Sequence, residues 1–283
     1  MLTVLAGDVL ADRIGAAPPR VLALHGWFRS GADFSRILEG TDALAVHLHG
    51  FGTTAPPPTA WGSADYAEHL AAGLDEAYGP PDQAVAAAPD RPGRPGRYVV
   101  VGHSFGGRVA VRLAASRPDL VHSLVLSGVP LVRATPPPRP RLLLRVAKRL
   151  RTAHLLPGSA IERIRRSSGS ADYRAAQGVM RDVLVRVVSE DYREQLRTLT
   201  VPVHMVWGEL DDAAPLAGAR LAAEMLPDAR LDVVPGAGHL LDGALEAKVR
   251  SAVLEALARL EPTEPTVPTE QSVPTEPLGQ DGR

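Results

Sequence analysis

Apolar residues gather into short runs bounded by turn-forming residues, at Val21–Leu24, 43–48, 98–101, 124–126, 203–207 and 231–234. These runs lack polar alternation, so both faces of each need covering, as in strands buried within a mostly parallel sheet. Between them the spacing turns helical. Segments Ser63–Tyr78, 108–116, 215–226 and Gly243–Leu260 carry apolar residues three or four apart, and in the last of them Leu245, Val249, Val253, Leu257 and Leu260 make one stripe. Strand alternating with helix predicts an α/β fold, a mostly parallel central sheet flanked by its crossover helices.

Three segments depart from this rhythm. Residues 79–97 are rich in Pro and Gly and read as an enlarged surface loop. From residue 261 to 283 the chain repeats Pro-Thr-Glu with almost no apolar content, which cannot offset ordering entropy and predicts a disordered tail. Residues 130–200 form a mainly helical insert with helices expected near 139–155 and 171–189, the second carrying Val179, Met180, Val183, Leu184 and Val187 on one side. This insert is basic, its Arg and Lys residues far outnumbering its six Asp and Glu. A solvated face is the plain explanation of such charge, and attraction of an anionic substrate or membrane surface is the alternative.

Composition narrows the function. The 283 residues carry 31 basic and 32 acidic side chains, a net charge of −1, which excludes a strongly basic reader of nucleic acid. There is no Cys, so a disulfide framework, thiolate metal sites and a cysteine nucleophile are all excluded. No segment approaches the ~18 consecutive apolar residues of a membrane span, and the first residues lack a basic stretch followed by an apolar one, so stable membrane insertion is not expected and the cytoplasm is the default compartment. No histidine pair has a zinc-helix spacing, and neither a phosphate loop nor a dinucleotide fingerprint is present. The expectation is therefore no metal and no cofactor.

One stretch points to chemistry. Tyr98-Val99-Val100-Val101-Gly102-His103-Ser104-Phe105-Gly106-Gly107 runs from an apolar strand through Gly-x-Ser-x-Gly into a helix. A turn so tight needs the flanking glycines and holds Ser104 on a strained elbow at the carboxyl edge of the sheet. A serine hydroxyl is a poor nucleophile at neutral pH and needs an imidazole base, itself oriented by a carboxylate. Downstream, Gly208-Glu209-Leu210-Asp211 puts an acid just after one strand, and Gly236-Ala237-Gly238-His239 puts a histidine just after the next. The chain order is Ser, Asp, His, as nucleophile elbows on such sheets require. Asp212 is the neighbouring rival for the acid. Upstream, Leu24-His25-Gly26-Trp27-Phe28 follows another strand, where a second oxyanion donor belongs.

Together these four stations resemble the α/β-hydrolase family over about residues 2–260. The resemblance implies Ser104 as nucleophile, His239 as general base and acid, Asp211 as orienting acid, and the backbone amides of Trp27 and Phe105 as the oxyanion hole. It also implies that 1–129 and 201–260 are two parts of one core, with 130–200 a helical cap. One departure stands out: relatives often carry Asp-x-x-Gly-x-Gly where this chain has His47-Leu48-His49-Gly50-Phe51-Gly52, which removes a usual loop-bracing hydrogen bond. Phe28, Phe51 and Trp61 fall on loops at the active-site end and are candidates for an apolar pocket wall, loop packing being the plain alternative. The function expected is a cofactor-free serine hydrolase of an ester, thioester or related carbonyl. Its partner would be a small-molecule substrate with an apolar acyl group, an anionic substrate and the oligomeric state being left open. The same triad could serve a carbon–carbon bond hydrolase or a cofactor-free peroxidase, and the same fold a non-catalytic binding protein. Epoxide hydrolysis and dehalogenation are disfavoured, because relatives of those kinds usually carry Asp as nucleophile.

Overall fold

A computed structural model describes residues 1–6, 8–79, 96–134 and 171–260. The enlarged loop, the helix expected near 139–155 and the Pro-Thr-Glu tail fall mostly or wholly outside them. Eight strands form one sheet: β1 (Leu2–Ala6), β2 (Val9–Ile14), β3 (Val21–Leu24), β4 (Ala43–His47), β5 (Tyr98–His103), β6 (Val121–Ser127), β7 (Val203–Gly208) and β8 (Ala229–Val234). Their spatial order is β1-β2-β4-β3-β5-β6-β7-β8. Strands β3 to β8 run parallel, and β1 and β2 add an antiparallel edge. Among the described residues the helices are α1 (Ser63–Tyr78), α2 (Phe105–Ser116), α3 (Ala171–Ala175), α4 (Gly178–Ser189), α5 (Arg193–Thr198), α6 (Leu216–Met225) and α7 (Gly243–Leu260), with a 3-10 turn at Gly31–Phe34.

Most of the apolar runs lie where both faces are covered, whereas 231–234, in the edge strand β8, is only partly buried. Every residue of β3, β4, β5 and β7 is buried. Alternate residues feed two cores: Leu22, Leu24 and Val100 pack with Tyr66, Leu70 and Val109 under α1 and α2, while Val21, Ala23 and Val101 meet Phe34, Val249 and Val253 of the 3-10 turn and α7. A period of two on the strands meets a period near 3.6 on the helices, which fixes the layers and their register.

The structure departs from the sequence-based expectations in three places. The β1–β2 hairpin is absent from the sequence reading, because its edge strand is half open to solvent, with Leu2 49% and Val4 58% exposed, and so lacks a buried-strand pattern. The helix expected over 171–189 is broken after Ala175, where Gln177 is extended and Gly178 adopts a φ of 51° before α4 starts. The loss expected at His47 is made good by another pairing. Its Nε2 lies 3.0 Å from Asp12 Oδ2 on β2, and its carbonyl accepts from Thr54 Oγ1 at 2.8 Å, so the 47–54 turn is still tied to the sheet.

Candidate active site

Parallel strands end on one edge of the sheet, and the turns after β3, β5, β6, β7 and β8 converge there. Ser104 sits between β5 and α2 with φ 49° and ψ −113°, a conformation that L-residues rarely adopt. The surroundings enforce it. The Ser104 amide donates to Ser127 O at 3.0 Å on β6, and the Gly106 amide donates to His25 O at 3.0 Å after β3. A side chain at Gly106 would bring its Cβ to 2.1 Å from the Leu24 carbonyl oxygen, so only glycine lets α2 start this close to β3.

Asp211 and His239 come together from the turns after β7 and β8. His239 Nδ1 donates to both carboxylate oxygens of Asp211, at 3.0 and 2.9 Å. The Asp211 side chain is fully buried, and its Oδ1 also accepts the Ala214 amide at 2.7 Å. With its proton committed to Nδ1, the ring keeps the lone pair on Nε2. Asp212, the rival acid, is exposed.

Two neighbours hold this pair that the sequence did not single out for it. Gly128 follows β6 with φ +60°, and a Cβ there would stand 2.9 Å from the His239 ring and 3.1 Å from Asp211 Oδ2. A glycine at a strand's carboxyl end on the active-site edge was the available signal. His103 donates from Nε2 to the His239 carbonyl at 2.9 Å, and the two rings lie 4.9 Å apart. Burial depresses the His103 pKa to about 4, so it is neutral at pH 7 and does not repel a charge forming on His239. His25 is similarly depressed to about 4 by burial. It donates from Nδ1 to Gly26 O at 2.8 Å and accepts the Leu48 amide at Nε2 at 3.1 Å, bracing the turn that carries Trp27.

Ser104, His239, Trp27 and Phe105 all line one cavity of about 760 Å³. Its other walls are largely aliphatic, with Val129 and Val132 after β6, Leu184, Val187 and Val188 from α4, and Leu240 beyond His239. Arg29, Arg108 and Arg133 also reach it, each with partners of its own. Arg29 is paired with Asp33, Arg108 donates to the Val187 and Pro130 carbonyls, and Arg133 donates to Val188 O. The wall expected of Phe28, Phe51 and Trp61 is not the one observed, since none of the three lines this cavity. Phe51 is buried edge-on between Trp27 and His25, Phe28 is half exposed with a φ of 55°, and Trp61 packs on Tyr66, His49 and His69. For these three the alternative of loop packing is the one the rings adopt, and the aromatic part of the lining comes from Trp27, Phe105 and Trp207.

Comparison with known proteins bears on the family and the fold. Residues 21–248 match the model of the Alpha/beta hydrolase family. An esterase of Mycobacterium tuberculosis is 38% identical over 129 residues, which is 44% of this chain and 38% of the esterase. A pimeloyl-[acyl-carrier protein] methyl ester esterase of Aeromonas hydrophila is 28% identical over 265 residues, covering 82% of this chain and 92% of its own. Among solved structures, an esterase from Exiguobacterium antarcticum superposes with a TM-score of 0.62 at 19% identity, covering 88% of this chain and 95% of that one. With the strand order, the elbow after β5 and the family match in agreement, the chain belongs to the alpha/beta hydrolase family.

Proposed function

We propose that this protein is a serine hydrolase that cleaves carboxylic esters, with thioesters as the nearest related substrates, through Ser104, His239 and Asp211. The observation that carries the reading is the His239 imidazole, held by both oxygens of a buried Asp211 in the same cavity as the strained Ser104. Esterases among the relatives support the choice of ester. In this scheme His239 Nε2 takes the Ser104 proton as Oγ attacks the carbonyl carbon. The oxyanion is met by the backbone N–H groups of Trp27 and Phe105, the latter at the first turn of α2, where the helix dipole also favours negative charge. Collapse expels the alcohol or thiol, which leaves with the proton from His239. Water then attacks the acyl-Ser104 carbonyl, giving up a proton to His239, and the acid is released as Ser104 recovers its hydrogen.

This sequence of steps needs no cofactor. Residues 130–200 act as a cap whose α4 supplies Leu184, Val187 and Val188 to the wall, and this aliphatic surface suits an apolar acyl group. Among the cap's described cations, Arg133 and Arg193 are engaged within the cap, by the Val188 carbonyl and Asp191, and Arg186 ties it to the core through the Ala60 carbonyl and Asp65. The remaining basic residues of the insert fall mostly outside the described residues. A fluorophosphonate probe followed by peptide mapping tests the reading. One label per chain on Ser104, abolished by prior denaturation, is expected, and absence of labelling on folded protein would instead leave a binding protein on this fold.

A further inference from the structure

On the carboxyl side of the sheet, but outside the cavity that holds Ser104, three side chains distant in sequence meet at the edge hairpin. Asp8 lies in the turn between β1 and β2, His49 in the turn after β4, and His69 on α1. Asp8 Oδ1 accepts from His69 Nε2 at 2.8 Å, and Asp8 Oδ2 stands 3.0 Å from His49 Nε2. One donor atom from each residue lies within 4.8 Å of the other two. The His49 contact is close without being aligned as a hydrogen bond: His49 is 5% exposed, and its buried Nε2 has no hydrogen-bond partner among the described residues. Its position is nonetheless held firmly. Trp61 packs on both imidazoles, with centroids 5.1 Å from His49 and 5.0 Å from His69, and Tyr66 Oη donates to the His49 carbonyl at 2.9 Å.

We propose that Asp8, His49 and His69 bind a divalent late first-row metal ion, with zinc the best match. Two imidazoles and one carboxylate are borderline donors suited to such ions, and three protein ligands leave a position for water. Tetrahedral bonds of about 2.0–2.1 Å place ligand atoms roughly 3.4 Å apart, so the two short separations must open by about half an ångström and the third, which lies within 4.8 Å, must come to the same value. Asp8 can supply that movement, since its side chain is 63% exposed on a turn, and the 36% exposed His69 leaves an approach from solvent. An ion here would give the His49 nitrogen a ligand bond in place of its poorly aligned contact with Asp8. None of the three residues lines the cavity holding Ser104, so the ion would tie the edge hairpin to α1 and the 49–61 loop and would not act on substrate. The sequence offers no such spacing, because the ligands lie on three separate elements.

The test uses full-length, tag-free protein stripped with EDTA and titrated with zinc chloride and cobalt chloride. Expected are one ion per chain, a rise in melting temperature, and cobalt absorption bands of tetrahedral intensity. Asp8→Asn and His69→Gln should weaken half-saturation tenfold or more, whereas His239→Ala should bind as the wild type does. Zinc should also slow diethylpyrocarbonate modification of His69 in the wild type, a readout independent of any variant's folding. No binding by the wild type, unchanged binding in both Asp8→Asn and His69→Gln, or loss of binding in His239→Ala alone would overturn the proposal.

Discussion

At the scale of single residues, position by one along the chain decides chemistry. Asp211 and Asp212 are adjacent and chemically identical, yet one is buried against His239 and the other faces water. Buried and accepting from both His239 and the Ala214 amide, Asp211 fixes which imidazole nitrogen carries the proton. Asp211→Asn is expected to lower kcat by roughly 10⁴, and Asp212→Asn to leave it nearly unchanged. Steady-state kinetics on the two variants distinguish them, and the reverse order of losses would move the acid by one residue. Strain at Ser104 belongs to the same scale. Its φ of 49° persists only because β6, β3 and the glycines around it leave the chain no other course.

At the scale of elements, the turns after parallel strands carry the candidate chemistry and the inserted helices shape the cavity. The candidate catalytic turns were legible in sequence because each follows a strand-like run with its reactive residue close behind, as in the buried Val203–Gly208 before Asp211. The wall was less legible. Leu184 and Val187 stand out only as an apolar stripe on a helix, and nothing in that stripe says whether it meets the core or an empty space. In the structure it does both, since these residues are buried and also line the cavity. Filling that space should therefore sort substrates by size. Leu184→Trp is expected to cut kcat/KM for a long-chain acyl ester tenfold or more relative to the acetyl ester of the same alcohol. Equal change for both esters would place Leu184 outside the acyl path. The β1–β2 hairpin went unread for the opposite reason. An edge strand needs only one covered neighbour, so Leu2 and Val4 can remain exposed and leave no buried pattern.

At the scale of the whole molecule, two buried histidines couple stability to pH. Burial holds His25 and His103 neutral with pKa values of about 4, whereas in the unfolded chain each titrates near 6.5. Between those values the unfolded chain binds more protons, so the stability these residues support is complete above about pH 6.5 and is lost as pH falls toward 4. The loss should reach roughly 2 kcal/mol per histidine by pH 5, read as a falling urea midpoint, and an unchanged midpoint between pH 7 and 5 would contradict it. Both histidines lie beside the elbow, so the residues that brace the candidate active site are also those that make the fold acid-sensitive. The central claim is that Ser104 and His239 work as one unit, and kcat for ester hydrolysis by the wild type, Ser104→Ala, His239→Ala and the double variant tests it most directly. Each single substitution should lower kcat by roughly 10⁴–10⁶ with folding intact, and the double variant should fall no further. A folded Ser104→Ala protein that retains most of its turnover would contradict it.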